Sequence, residues 1–122
     1  WTEWAKHSAH LFFAPKFFND NPDVVKTVEA IVGDEQRSKE SYFYLNDTAL
    51  AHDFRSELSS ISCPTLIMAG LFDPICSIEC AYDMKNNIPN SELVIFENSS
   101  HFLLVEEYEK AITTLERWFS NK

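Results

Sequence analysis

The sequence predicts an α/β fold, with a helical first half followed by the end of a doubly wound parallel sheet. Three observations lead there. Residues 64–122 alternate strand, helix, strand and helix signals, the spacing of a parallel crossover closed by one more helix. The first of these strands, TLIMA at residues 65–69, is apolar without alternation, as suits a strand covered on both faces. Residues 1–60 carry helical patterns and no convincing strand pair. Two parallel strands alone would leave both edges of an apolar sheet unpaired, so the sheet is expected to be completed by residues outside this chain.

The elements follow in order. WAKHSAHLFFAP places Trp4, His7 or Ser8, and Leu11 or Phe12 on one side, and predicts a helix running to Pro15. In NPDVVKTVEAIVG, Asn21 is placed to cap and Pro22 takes the first helical position; Val24, Val25, Val28, Ile31 and Val32 recur at helical spacing until Gly33 stops the run. SYFYLNDTALAHDFRSEL fits one helix or two short ones. In the second case Asp47 or Thr48 caps the later helix, with Leu50, Ala51, Phe54 and Leu58 on its apolar side. SIECAYDMKNNIP predicts a helix with Ile78, Ala81, Tyr82 and Ile88 inward, and SELVIF is the second strand. VEEYEKAITTLERWFSNK predicts a closing helix with Tyr108, Ala111, Ile112, Leu115, Trp118 and Phe119 as its apolar stripe.

With 45% apolar residues and 14% aromatics, the chain is too hydrophobic to be disordered. Its apolar runs are too short to cross a bilayer and nothing in it resembles a signal peptide, so no membrane association and a cytoplasmic location are expected. The chain opens at Trp1 instead of Met, and a preceding segment is expected. The net charge of -9 and the scattering of the basic residues argue against nucleic-acid binding, which needs clustered cations to displace counterions from phosphates. Cys63, Cys76 and Cys80 are too few for a disulfide scaffold and are expected as free, mostly buried thiols. Cys76 and Cys80, without a flanking His, make a poor metal site; no metal and no cofactor are expected.

Open parallel sheets bind ligands beyond the carboxyl ends of their strands. Asp73 follows the first strand, and His101 follows the second through ENSSH, so both are expected at one rim. Each alone has an ordinary use, Asp73 as a turn cap before Pro74 and His101 as a loop histidine. Together they suit general-base chemistry, because a carboxylate bonded to imidazole Nδ1 fixes the tautomer and stabilises the imidazolium formed when Nε2 takes a proton. His101 must be neutral to act so, and activity should rise with pH as the imidazole loses its proton. His7, His10 and His52 lack such placement and are expected at the surface or along a groove.

The stretch ISCPTLIMAGLFDPI, residues 61–75, resembles the α/β-hydrolase superfamily, particularly its proline iminopeptidase-like members and the related esterases and lactonases. There the penultimate strand is preceded by Ile-x-x-Pro-Thr-Leu and followed by Gly-x-x-Asp. SELVIFENSSHFLLVEE is similar to that family's last strand, its Ser-His loop and the Glu-containing helix start. The resemblance implies that Asp73 is the triad acid and His101 the base. It also implies that residues 1–60 form a helical lid and residues 61–122 the last two strands and helices of the core. Asp53 and Arg55 in HDFRSEL match a family Asp-x-Arg pair, expected to tether lid to core.

The family's nucleophile stands on a Gly-x-Ser-x-Gly elbow, and this chain, with two glycines, Gly33 and Gly70, has none. Ser99 and Ser100 do not sit on a strand-to-helix turn and are not expected to replace it. A second polypeptide carrying the earlier strands and the serine is therefore the expected partner. WTEWAKHSAH resembles the start of the lid in proline iminopeptidases, but Ala5 stands where their glutamate would hold a substrate amine, leaving Glu3 or Glu29 as substitutes. Trp1, Trp4, Phe12 and Phe13, with Phe17 and Phe18, are expected either to line an aromatic substrate entrance or to pack in the core. The implied activity is hydrolysis of a small amide or ester carbonyl, such as removal of an amino-terminal proline. An esterase or lactonase of the same fold and a non-catalytic interaction fragment are the alternatives.

Overall fold

The computed structural model describes residues 8–34 and 38–121. In chain order the described elements are α1 over residues 8–12, α2 (Pro15–Asp20), α3 (Pro22–Asp34), α4 (Lys39–Ala51), a 3₁₀ turn (Arg55–Ser60), β1 (Thr65–Gly70), α5 (Ile78–Asn87), β2 (Ser91–Phe96), α6 (Leu103–Glu106) and α7 (Tyr108–Ser120). The two strands pair in parallel, with Thr65 opposite Ser91 and Gly70 opposite Phe96.

Because successive strand residues face opposite ways, this register sorts the sheet into two faces. Ile67 and Ala69 of β1 and Leu93 of β2 share one, where they pack with Ala81 and Ile88 of α5. Glu92 and Phe96 share the other, beneath α7: Arg117 pairs with Glu92 at 2.8 Å, and the Lys110 ammonium lies 4.7 Å from the Phe96 ring centre. Helices thus cover both faces, which is why TLIMA needs no polar alternation. A second apolar cluster joins Ala9, Phe13 and Val25 to Phe12, Phe17, Phe18 and Val28 of the first half, and to Phe102 in the loop after β2. Through Phe102 the helical half meets the carboxyl rim of the sheet.

Several local expectations are corrected. The first helix stops at residue 12, and Pro15 starts α2, because proline fits a helix's first turn, where its missing N–H is not needed. SYFYLNDTALAHDFRSEL holds α4, which ends at Ala51, and then the 3₁₀ turn; α4 is capped by the Ser38 hydroxyl, which accepts from Ser41 N at 3.1 Å, while Asp47 and Thr48 cap nothing: they lie inside it and Thr48 bonds back to the Tyr44 carbonyl. The closing segment breaks at Glu107 into α6 and α7, and α7 buries Ala111 and Thr114 while Tyr108 and Phe119 are exposed. Tyr82 is likewise exposed on α5. Asp53 and Arg55 bond to each other at the exposed start of the 3₁₀ turn. All three cysteines are free, as expected, but exposed rather than buried. Among the described residues no helix is long and apolar enough to cross a membrane.

Candidate active site

The loops that follow β1 and β2 are stitched together by their backbones. Leu71 N donates to the Phe96 carbonyl at 3.0 Å and Phe72 N to the Ser99 carbonyl at 2.9 Å. The buried Ser100 hydroxyl adds a donor 3.1 Å from the Phe72 carbonyl. This seam extends the sheet's register past the strand ends and sets Asp73 beside His101.

Asp73 Oδ2 lies 2.9 Å from His101 Nδ1. Its other oxygen, Oδ1, accepts from Ile75 N at 2.8 Å and Cys76 N at 2.9 Å. The turn sequence DPIC therefore serves a second purpose: its amides hold the carboxylate so that one oxygen is left for the imidazole. The aspartate side chain is 8% exposed and the histidine 31% exposed, so the acid is withdrawn from water while the base keeps an open side. A carboxylate can only accept, so the proton in this bond is on Nδ1, and in the neutral imidazole Nε2 is then the acceptor. Such a pair can take a proton from a hydroxyl presented at Nε2.

Two acidic residues buttress the histidine loop. Glu107 Oε2 accepts from Asn98 N at 3.0 Å and from the Ser99 hydroxyl at 2.7 Å. Glu106 Oε1 accepts from Ser100 N at 2.7 Å, and its Oε2 accepts from Ala14 N at 2.6 Å. Burial pushes the Glu106 carboxyl up, against the two amides that favour its charge. Ser99 and Ser100 are thus buried structural hydroxyls, in keeping with their exclusion as nucleophiles.

Phe12 lies near the pair, half-buried, with its ring centre 5.9 Å from that of His101. Phe13 does not line an entrance. It is 2% exposed and fills the second apolar cluster against Phe17 and Phe102, because the chain turns away between α1 and α2. Trp1, Trp4, Glu3, Ala5 and His7 lie outside the described residues. His10 and His52 are exposed, His52 against the Phe54 ring, and Glu29 stands on α3.

A cleft of about 400 Å³ opens along β1, lined by Leu66, Met68, Asp73, Cys76, Met84 and His101 among others. Sequence reasoning missed Cys76 here. Its thiol, a carboxylate oxygen of Asp73 and a ring nitrogen of His101 lie within 4.8 Å of one another, so these three residues could hold a soft metal ion. Burial, and then the Asp73 carboxylate and Cys80, push the Cys76 thiol up, which opposes the thiolate that a metal requires. Glu106 was also missed as a buttress; the VEE motif marked only a helix start.

No family model matches the chain. It is 46% identical over 68 residues to a proline iminopeptidase of Clostridium botulinum, covering 56% of this chain and 23% of that protein. It is 46% identical over 69 residues to the AB hydrolase superfamily protein YisY of Bacillus subtilis, covering 57% and 25%. Similarity to 3-oxoadipate enol-lactonase 2 of Acinetobacter baylyi runs further, at 30% identity over 106 residues, 87% of this chain and 39% of the relative. Among solved structures, an esterase from Exiguobacterium antarcticum superposes with a TM-score of 0.78 at 29% identity, over 96% of this chain and 42% of the esterase. The chain spans less than half the length of each of these relatives. Paired parallel strands, a helix on each face and these alignments converge on one assignment: the chain belongs to the α/β-hydrolase superfamily and corresponds to the carboxyl-terminal portion of its fold.

Proposed function

We propose that this chain supplies the acid and base of a serine hydrolase whose nucleophile is carried by a second polypeptide, and that the assembled enzyme cleaves a small amide or ester carbonyl. The observation that carries the reading is the 2.9 Å bond between His101 Nδ1 and Asp73 Oδ2 at the carboxyl rim of a parallel sheet. The partner's strands would extend the sheet along the edge of β1 and bring a serine to Nε2. His101 would take the serine's proton as it attacks the carbonyl, then return it to the leaving group, while Asp73 orients the ring; backbone amides of the partner would hold the oxyanion. Residues 1–60 would act as the lid and residues 61–122 as the end of the core.

The similarity to proline iminopeptidases supports a peptide with an amino-terminal proline or similar residue as the first substrate class to try. An ester or lactone is the second reading. It draws on the alignment with 3-oxoadipate enol-lactonase 2, which runs over 87% of the chain and so takes in much of the helical half.

The test is to combine the chain with the segment that bears the nucleophile and add a fluorophosphonate probe. Labelling of a serine on the companion, abolished by His101→Ala, supports the enzyme. A well-folded complex that stays unlabelled would leave the chain as a non-catalytic interaction fragment. A panel of prolyl, ester and lactone substrates then separates the two substrate readings by kcat/KM.

A further inference from the structure

Glu106 takes no part in the Asp73–His101 bond, yet it touches both halves of the molecule. Its two carboxylate oxygens accept from Ala14 N at 2.6 Å and Ser100 N at 2.7 Å, amides that belong to the end of the first helical stretch and to the residue before His101. Other bonds cross the same seam. Phe102 N donates to the Phe12 carbonyl at 3.0 Å, and the Ser100 hydroxyl lies 3.2 Å from the Leu11 carbonyl. The Phe12 ring stacks on Phe102 with centres 5.0 Å apart. The residues on both sides of His101 are therefore bonded to residues 11–14, and Glu106 closes this seam with a charge-assisted pair of bonds.

We propose that Glu106 is a positioning residue that locks the helical segment to the histidine loop, so that the seating of residues 11–14 and the orientation of His101 change together. The proposal rests on the hydrolase reading above and extends it to how the lid is coupled to the base. A carboxylate suits this role because both of its oxygens accept, whereas an amide or a protonated acid offers one good acceptor. Burial makes a charged carboxylate costly here, as the upward push on its carboxyl shows; Glu107 and Asp73 add like charge.

The experiment uses the assembled hydrolase with Glu106→Gln, Glu106→Asp and, as a control on the neighbouring buttress, Glu107→Gln. Amide exchange at Ala14 and Ser100 is read together with kcat and KM, and thermal unfolding checks that each variant is folded. Glu106→Gln is expected to speed exchange at one or both amides about tenfold and to lower kcat by about tenfold, with a smaller change in KM. Glu106→Asp, charged but one methylene shorter, should show the same loss in weaker form, and Glu107→Gln should leave Ala14 exchange within about twofold of wild type. Unchanged exchange at both amides in folded Glu106→Gln, or faster exchange with unaltered kcat, overturns the proposal while wild-type labelling by the fluorophosphonate preserves the hydrolase reading. If Glu106→Gln does not fold, Glu106→Asp decides by the same two readouts. A wild-type complex that is never labelled overturns both.

Discussion

The α-carbon of Gly70 faces the carbonyl of Ser100 so closely that a β-carbon built there would stand 2.2 Å from the Ser100 oxygen and 2.7 Å from the Ser99 oxygen. The end of β1 and the loop before His101 are in backbone contact, and space is what requires glycine: its φ is not positive. Gly70→Ala must push the histidine loop outward. We expect a loss of about 1–3 kcal/mol in denaturant unfolding, with slower fluorophosphonate labelling of the assembled enzyme.

Asp73→Asn keeps an oxygen to accept from Ile75 N and Cys76 N, so the turn should survive. The amide cannot serve Nδ1–H as a carboxylate does and can instead favour the opposite tautomer. In the assembled enzyme kcat should fall by several orders of magnitude, about 10⁴-fold, with KM little changed. Steady-state kinetics beside a circular dichroism spectrum checks both halves of this expectation.

Cys76 is exposed, yet burial of its sulfur and the nearby Asp73 carboxylate push its thiol up. The thiolate is the reactive form, so iodoacetamide should modify Cys76 slowly at neutral pH and faster as pH rises. Asp73→Asn removes the charge and should speed modification at a fixed pH near neutrality. Peptide mass spectrometry over a time course reads the rate at this residue alone.

The Glu106 carboxyl is raised in the folded state, so folded protein holds its proton to higher pH than unfolded protein does. Between the ordinary carboxylate range and that raised value the native state binds more protons, and stability falls as pH climbs. Glu106→Gln lacks this titration. The wild-type advantage over Glu106→Gln in unfolding free energy should therefore shrink across that window and stay flat above it, as denaturant melts at several pH values would show.

Much of this was legible before any coordinates. Apolar residues 65–69 predicted a strand covered on both faces, and Asn21-Pro22 with its valine periodicity predicted α3, because each signal is local and strong. Asp73 and His101 could be set at one rim because parallel strands carry their following loops to the same end. Local signals failed where two reasonable choices compete. The break at Glu107 splits a continuous apolar period.

By itself the sequence determined the order of strands and helices, the two parallel strands, the pair of residues capable of base chemistry, and the lack of a Gly-x-Ser-x-Gly elbow in this chain. Tertiary structure alone decided which groups hold that pair: the Ile75 and Cys76 amides on Asp73, Glu106 and Glu107 behind the histidine loop, and Phe13 packed inward while Phe12 stays beside His101. Periodicity and turn chemistry act within a few residues and leave their marks in the sequence. A carboxylate that reaches an amide 92 positions away is placed by packing, which no local pattern encodes.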